Sequence, residues 1–299
     1  MAFNVSSLPD YVEQHKGELL TQAALGAPTI KHIGIQTGVK YQEALNILST
    51  SAALQARTCG FNSNGTVTYT QRVLTVGAYK VNISLCEEDL RKKWMNIELV
   101  TRAGGAVLPY EEKVTEDIVK SIKKQLEAKI WTASTASGDL FNGLLTIAKA
   151  DAVEVSSSAT TVRGKIEDVY KALPTSVLDR AAIFVGIDTY RDFILELVNA
   201  NLYHYDARLE PKNLEIYLPG TSTRVIAVEG LNGTSAIVGG DPENFVFGCD
   251  MQDDAEVFDL FYSQDNQEFR FVSKFNAGTQ IAFPADVRYI APASGGSSH

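Results

Sequence analysis

The sequence has few cysteines and no spacing that would put them to structural use. Cys59, Cys86 and Cys249 are an odd set without a C-x-x-C pair, which disfavours both a disulfide framework and a zinc knuckle. A chain of this kind is typical of a reducing compartment. We therefore expect neither a metal nor a disulfide scaffold.

Long apolar runs and long basic runs are also missing. No apolar stretch approaches the roughly 20 residues of a membrane span. A formal net charge of -9 argues against a dedicated nucleic-acid binder, because such proteins gain affinity by neutralising phosphates. The short cluster Arg91-Lys92-Lys93 is explained by a solvated helix face. With 45% hydrophobic and 21% charged residues, the chain is predicted to fold as a globular protein.

The sequence offers no motif for catalysis or for binding a cofactor. The segment 238–241 lacks the lysine of a phosphate loop, and His204 has no nucleophile motif to act on. Asp250, Asp253 and Asp254 lack the glycine and the closing glutamate of an EF-hand, so a solvated turn is the better interpretation. We expect no catalytic residue, no cofactor and no metal.

A long helix is predicted after Pro109. Glu111 and Glu112 begin it, and apolar residues follow at four-residue steps. These residues are Val114, Ile118, Ile122, Leu126 and Ile130. Because four residues turn a helix by about 400°, the stripe drifts around the axis and should contact several layers of the fold. Trp94 and Trp131, which flank the two ends of the middle region of the chain, are interpreted as core anchors.

Two segments before this helix are candidates for contact with another subunit. Residues 7–25 predict an amphipathic helix, which includes Tyr11 and Val12 and has nothing obvious in the following sequence to cover it. An Asn-Gly turn at 64–65 then predicts a hairpin whose return strand is 66–73. Such a ribbon is marginal alone. It could equally be an edge hairpin of the core sheet.

The rest of the chain predicts an α+β fold. A helix is expected near 165–173, a buried strand at 182–186, and a further helix capped by Asp188 or Thr189. Short strands broken by turn residues follow. They are expected near 214–218, 224–228, 236–238, 245–247, 257–262 and 269–275.

In this order the segments resemble the major capsid proteins of tailed double-stranded DNA bacteriophages, which share the Hong Kong 97 type fold. The resemblance also rests on short motifs. These are Ile130-Trp131 followed by Phe141-Asn142-Gly143-Leu144-Leu145, the stretch 244–250, and Gly278-Thr279-Gln280-Ile281-Ala282-Phe283.

The resemblance implies a division of the chain into named parts. Residues 1–33 correspond to the N-terminal arm, and 34–84 to the extended E-loop and its flanking strands. Residues 85–163 and 266–292 form the P-domain with its long spine helix, 164–265 form the A-domain, and 293–299 are a C-terminal tail.

Membership would imply a structural protein without enzymatic activity. Hexamers and pentamers of it would build an icosahedral capsid, assembled in the host bacterial cytoplasm as part of the virion, around weakly contacted double-stranded DNA. The expected partners are a portal protein, possible decoration proteins and further copies of the chain, with no membrane. Because the arm begins almost directly after Met1, any scaffolding protein is expected to be separate.

Two alternatives remain open from the sequence. An encapsulin, a bacterial compartment with the same fold, would enclose a cargo enzyme instead of DNA. A β-rich ligand-binding or hydrolase domain would be a monomer or a small oligomer.

Arginines in the E-loop segment are candidate intersubunit contacts. Arg57 and Arg72 are the only basic residues between Lys40 and Lys80. Acidic surface at Glu111 or Glu112 of a neighbouring P-domain is the proposed partner.

The same stretch generates a prediction about covalent chemistry. Some relatives cross-link an E-loop lysine to an asparagine of a neighbour, and no lysine lies between Lys40 and Lys80 here. We therefore expect assembled particles, boiled in detergent, to run as a monomer band on a denaturing gel. A ladder of covalent multimers would contradict this.

Overall fold

The computed structural model describes residues 25–55, 59, 65–86, 110–200, 214–250, 257–266 and 268–292. The helices are α1 Tyr110–Thr132, α2 Leu144–Asp151, α3 Val162–Ala172 and α4 Ile187–Asn199. The strands are β1 Gly34–Thr37, β2 Gln42–Ala52, β3 Gly65–Thr75, β4 Gly77–Cys86, β5 Val153–Glu154, β6 Ala182–Gly186, β7 Glu215–Tyr217, β8 Arg224–Val228, β9 Ile237–Gly240, β10 Phe245–Cys249, β11 Val257–Ser263, β12 Glu268–Ile281 and β13 Arg288–Ile290. Within the described ranges, none of the helices combines the length and hydropathy needed to cross a bilayer.

Helix α1 supplies one side of the main core. Its stripe residues Ile118, Ile122, Leu126 and Ile130 are all buried, which confirms the long helix predicted after Pro109. Its 23 residues, at a rise of about 1.5 Å each, make a rod about 35 Å long. The stripe therefore reaches both sheets of the fold.

Trp131 at the end of α1 is a core anchor, as predicted. Its side chain is fully buried, and its ring lies 5.3 Å from that of Phe184 between ring centroids. The ring of Phe184 in turn meets Phe245 edge-on at 5.5 Å. The aromatic contacts join α1 to β6 and β10, whereas Trp94 lies outside the described residues.

Strand β12 is the centre of a five-stranded sheet. Residues 268–277 pair antiparallel with β4 along one edge. On the other edge β11 pairs with 268–274 and β10 with 277–281, and β1 adds in parallel outside β10. Alternate residues of β12 are buried, and Phe269 and Phe271 join the same cluster as the stripe of α1.

The second sheet has six strands in the order β5-β13-β9-β6-β8-β7. All five residues of β6 are buried, because both of its faces are covered. Ile183 and Val185 pack with Ile166 of α3 and Phe193 of α4, and Phe184 points into the cluster that contains α1. A strand buried on both faces is an uninterrupted apolar run, and the predicted strand 182–186 is confirmed.

The predicted cap of α4 was wrong. The helix begins at Ile187 with Gly186 in the N-cap position and no side-chain cap. Instead the backbone N–H of Ile187 donates to Asn232 Oδ1 at 2.6 Å. Asp188 and Thr189 lie inside the first turn, where Asp188 Oδ1 accepts from the backbone N–H of Thr189 at 2.8 Å.

Strand β12 is also longer than predicted. A strand was expected near 269–275, but β12 continues to Ile281 because β10 provides backbone partners for 277–281. As a result, β10 and β11 belong to the same sheet as the 266–292 segment, although both precede the predicted A-domain boundary at 265. The division into arm, E-loop, P-domain and A-domain stays a prediction.

Candidate functional site

Strands β2 and β3 form a two-stranded ribbon, separate from both larger sheets in the described part of the chain. Its register runs from Gln42 opposite Thr75 to Ala52 opposite Gly65, so the predicted return strand 66–73 is confirmed. At about 3.4 Å per residue the paired segment is about 35 Å long. Directly opposite residues of an antiparallel pair share a face, and the register therefore assigns every side chain to one of two faces.

One face of the ribbon, which we call the apolar face, carries large side chains in solvent. These are Leu48, Val67, Tyr69 and Val73, with exposures of 55%, 53%, 79% and 47%. Leu48 lies directly opposite Tyr69, and Gln71 Nε2 donates across the strands to Asn46 Oδ1 at 2.8 Å. Val67, Leu48 and Tyr69 are neighbours on this face, and the Asn46–Gln71 pair separates them from Val73. An exposed apolar cluster of this kind is a candidate interaction surface.

The other face, which we call the hydroxyl face, changes character along its length. Thr66, Thr68 and Thr70 are exposed toward the turn. Nearer the body, Leu74 is fully buried in a small cluster with Val39 and Val76. Ile47 of β2, opposite Thr70, is also buried. This face is therefore covered at Leu74 and Ile47 and exposed toward the turn, so the ribbon is anchored at one end.

Side chains of β3 and β12 fix the anchored end. Gln280 Nε2 donates to the carbonyl of Val73 at 2.7 Å, and Arg72 Nη2 donates to Gln280 Oε1 at 3.3 Å. The guanidinium of Arg72 also forms an ion pair with the carboxylate of Asp151 at the end of α2. These contacts set the direction in which the ribbon leaves the body.

A pair of glycines lets the ribbon lie directly on the sheet. Gly248 of β10 and Gly278 of β12 are register partners. A Cβ on Gly278 would lie 2.2 Å from the carbonyl oxygen of Thr75, and one on Gly248 would lie 2.7 Å from Leu74 Cδ2. Real side-chain atoms do not approach backbone this closely, so the base of the ribbon requires glycine at Gly278.

Arg72 is the one predicted site residue whose side-chain contacts the structure describes. Arg72 is half-buried at the base of the ribbon, and the partners it has there, Asp151 and Gln280, belong to the same chain. The other predicted contacts fall on residues or side chains outside the described part: Arg57, Tyr11, Val12, Glu111 and Glu112. Their contacts between subunits stay predictions.

Sequence reasoning missed the partners of Arg72 and half of the apolar face. Asp151 and Gln280 are 79 and 208 residues away from Arg72, and no local pattern links such positions. Leu48 could have been found, because Ala44, Asn46 and Leu48 alternate with the residues of the opposite face along β2.

An open cleft of about 520 Å³ lies beside the six-stranded sheet. Its two arginines already have carboxylate partners: Arg180 lies 3.0 Å from Asp241, and Arg224 lies 3.7 Å from Glu215. Burial lowers the pKa of His32, which also lines the cleft and lies 3.4 Å from Glu215. The cleft is thus lined by ion pairs rather than by a nucleophile paired with a base.

Most of the residues considered above as possible catalytic or metal-binding groups lie outside the described part of the chain. His204, Asp253 and Asp254 are outside the described residues, and Asp250 is buried at the end of β10. Among the residues that are described, no three His, Cys, Asp or Glu side chains come together as a metal site would require. The ribbon is therefore the candidate site that the geometry supports.

Among known proteins, only solved structures give matches to this chain. No family model matches the sequence, and no curated protein matches it. Several solved structures match over almost the whole chain. At 11% identity, the capsid of a native GTA particle gives a TM-score of 0.61 and covers 91% of each chain. A satellite phage P4 procapsid that includes the size determination protein also gives 0.61 at 11% identity, over 93% of this chain and 90% of that one.

A third similar structure is a virus-like particle from Pyrococcus furiosus. It is 11% identical with a TM-score of 0.55, and the match covers 94% of this chain and 99% of that one. Likeness at such low identity concerns architecture alone. The chain therefore has the α+β, Hong Kong 97 type fold that its segment order predicted.

Proposed function

We propose that this chain is a major capsid protein, without enzymatic activity, that assembles into hexamers and pentamers of an icosahedral phage head enclosing double-stranded DNA. The observation that carries the proposal is the ribbon, whose base is fixed to the body while its apolar face stands in solvent. The fold, shared with the capsid of a GTA particle, supports it.

Energetics favour covering the apolar face with another copy. A two-stranded ribbon alone is marginally stable in water. Burying the exposed parts of Leu48, Val67 and Tyr69 together would contribute on the order of 3 kcal/mol to each contact between two subunits. The ribbon and the surface that receives it are different parts of the molecule, so the contact is heterologous and closes into rings when the rotation allows. Many such modest contacts then hold a shell together.

The charge of the chain suits a container for DNA. A net charge of -9 limits adhesion to phosphates, because adhesion needs clustered Lys and Arg. We propose weak contact with packaged DNA, together with a portal protein, a separate scaffolding protein and possible decoration proteins as partners. In this proposal the protein is a component of the virion and assembles in the host bacterial cytoplasm.

A second candidate is an encapsulin-type compartment that encloses a cargo enzyme. The likeness to a virus-like particle from Pyrococcus furiosus favours keeping it, since that match covers 99% of the other chain. The two candidates share a shell and differ in its contents.

Particle formation and contents test the proposal directly. We expect the purified chain to elute in the void volume on size-exclusion chromatography and to show closed shells by negative-stain microscopy. Particles from the native source should carry DNA that resists added nuclease. A monomer or small oligomer under all assembly conditions would contradict the proposal, and a protein cargo in place of DNA would favour the compartment.

Adjacent residues on opposite faces of the ribbon test which face is covered. Val67 belongs to the apolar face and Thr68 to the hydroxyl face, and both are exposed. We expect V67D to reduce particle yield at least about tenfold, since a buried unpaired charge is costly, whereas T68D assembles normally. Circular dichroism should show both subunits folded. Equal particle yields from the two variants would reject the apolar face as the contact.

Arg72 can be tested for a role between subunits beyond its pair with Asp151. R72D should lower the free energy of unfolding by about 1 kcal/mol, the scale of a half-exposed ion pair. The double variant R72D/D151R should restore the unfolding free energy. If Arg72 also meets acidic surface such as Glu111 or Glu112 of a neighbour, the double variant still assembles poorly. Normal particles from the double variant would show that Arg72 acts within its own chain.

A further inference from the structure

A glutamate without solvent contact lies where three parts of the chain meet. Glu127 projects from α1 and is fully buried. On either side lie two short turns of 3-10 helix, 28–31 and 229–231. The first turn precedes β1, and the second belongs to the loop between β8 and β9. We call this meeting point the Glu127 joint.

In the described part of the chain, neutral groups supply the hydrogen bonds of this carboxylate. The backbone N–H of Thr29 donates to Glu127 Oε2 at 3.1 Å, and the Thr29 hydroxyl donates to Oε1. The backbone of Gly230, from the second turn, packs against Glu127 and favours its ionised form. Trp131 Nε1 donates to Thr29 Oγ1 at 2.8 Å. The carboxylate therefore holds the first turn against α1, and the second turn packs beside it.

Close packing leaves little room for other arrangements. A Cβ on Gly230 would lie 2.4 Å from the carbonyl oxygen of Glu127 and 2.5 Å from Trp131 Cδ1. The second turn therefore touches the helix backbone itself. When the joint opens, these contacts are lost together.

Among the described residues, the charged groups near the joint do not compensate the carboxylate. Lys124 on α1 lies 3.6 Å from Glu229 of the second turn, and His32 beside the first turn lies 3.4 Å from Glu215. Lys31, the last residue of the first turn, is exposed to solvent. Burial raises the pKa of Glu127, the Thr29 hydrogen bonds and the backbone of Gly230 partly oppose this, and the charge of Glu229 adds to it.

Both protonation states of Glu127 fit the same positions of the heavy atoms. With the carboxylate ionised, the Thr29 hydroxyl donates to Oε1. With Glu127 protonated at Oε1, the direction of that bond reverses, and Thr29 Oγ1 accepts from Glu127 while it still accepts from Trp131. The neutral form escapes the cost of burying an unpaired charge.

The geometry points to a protonation-controlled joint: Glu127 is a positioning residue that holds the 28–31 turn on α1 most firmly when it is neutral and less firmly when it is ionised. Acid thus tightens the attachment of the 28–31 turn, whereas most native carboxylates respond in the opposite way. The inference concerns the subunit alone and does not depend on whether the chain builds a shell.

The sign follows from proton linkage. The closed joint has the raised pKa, and the open joint, with Glu127 in water, has the ordinary value near 4.5. Closure therefore binds a proton between these two pKa values. The closed form is weakest above the raised pKa, gains as pH falls through it, and gains no further below the ordinary value.

Hydrogen exchange of backbone amides in the unassembled subunit tests this. We measure protection factors for Thr29 and Gly230 from pH 8 to pH 4.5, relative to amides of β6 as an internal reference. Relative protection should be flat at high pH and then rise about tenfold per pH unit once pH falls below the raised pKa. No relative change, or a decrease toward acid, overturns the proposal.

Matched variants assign the effect to this carboxyl group. E127Q removes the titration and should abolish the pH trend, whereas E116Q, an exposed carboxylate of the same helix, should keep it. T29V removes the hydroxyl that serves both forms. Because the bond to the ionised form is charge-assisted and stronger, the inflection should move to higher pH, and T29S should leave it in place. If E127Q does not fold, the Thr29 pair and the unmodified chain still decide. An E127Q trend equal to that of the unmodified chain, or no shift in T29V, overturns the proposal.

Discussion

Hydrogen bonding along both edges of β12 is the constraint on which the rest of the structure depends. One edge pairs with β4 and the other with β10 and β11, so Phe275 lies opposite Tyr79 from almost 200 residues earlier. Bringing such distant segments together costs chain entropy. Burial of one face of β12, which shares its core with α1, offsets this cost. The two ends of the described chain therefore form one body.

This central strand also explains why the ribbon is exposed. The glycine pair Gly248 and Gly278 admits the base of β3 against the sheet, and Gln280 fixes it there. Beyond the base, β2 and β3 pair with each other and no further sheet lies beside them in the described part. The exposure of the apolar face is consequently a product of this geometry.

Part of this structure could be predicted from the sequence, and each success has a local cause. Apolar residues at four-residue steps indicate helix α1, and a continuous apolar run indicates β6. Alternation of threonines with larger side chains after an Asn-Gly turn indicates β3. The failures have a common cause as well. The acceptor at the start of α4 is Asn232, some 45 residues away, and the last residues of β12 are strand only because β10 lies beside them. The Glu127 joint was missed because a glutamate next to a helix stripe looks solvated.

The sequence by itself determined the type and approximate bounds of the main elements, and their order was enough to indicate the fold. Periodicity records which side of an element is buried, and that is a local property. Only the tertiary structure decided what each buried or exposed side meets: Asp151 and Gln280 at Arg72, two turns at Glu127, and solvent at Leu48 and Tyr69. Those choices depend on strand registers between distant segments, which are selected by the packing of the whole core and leave no signal in neighbouring residues.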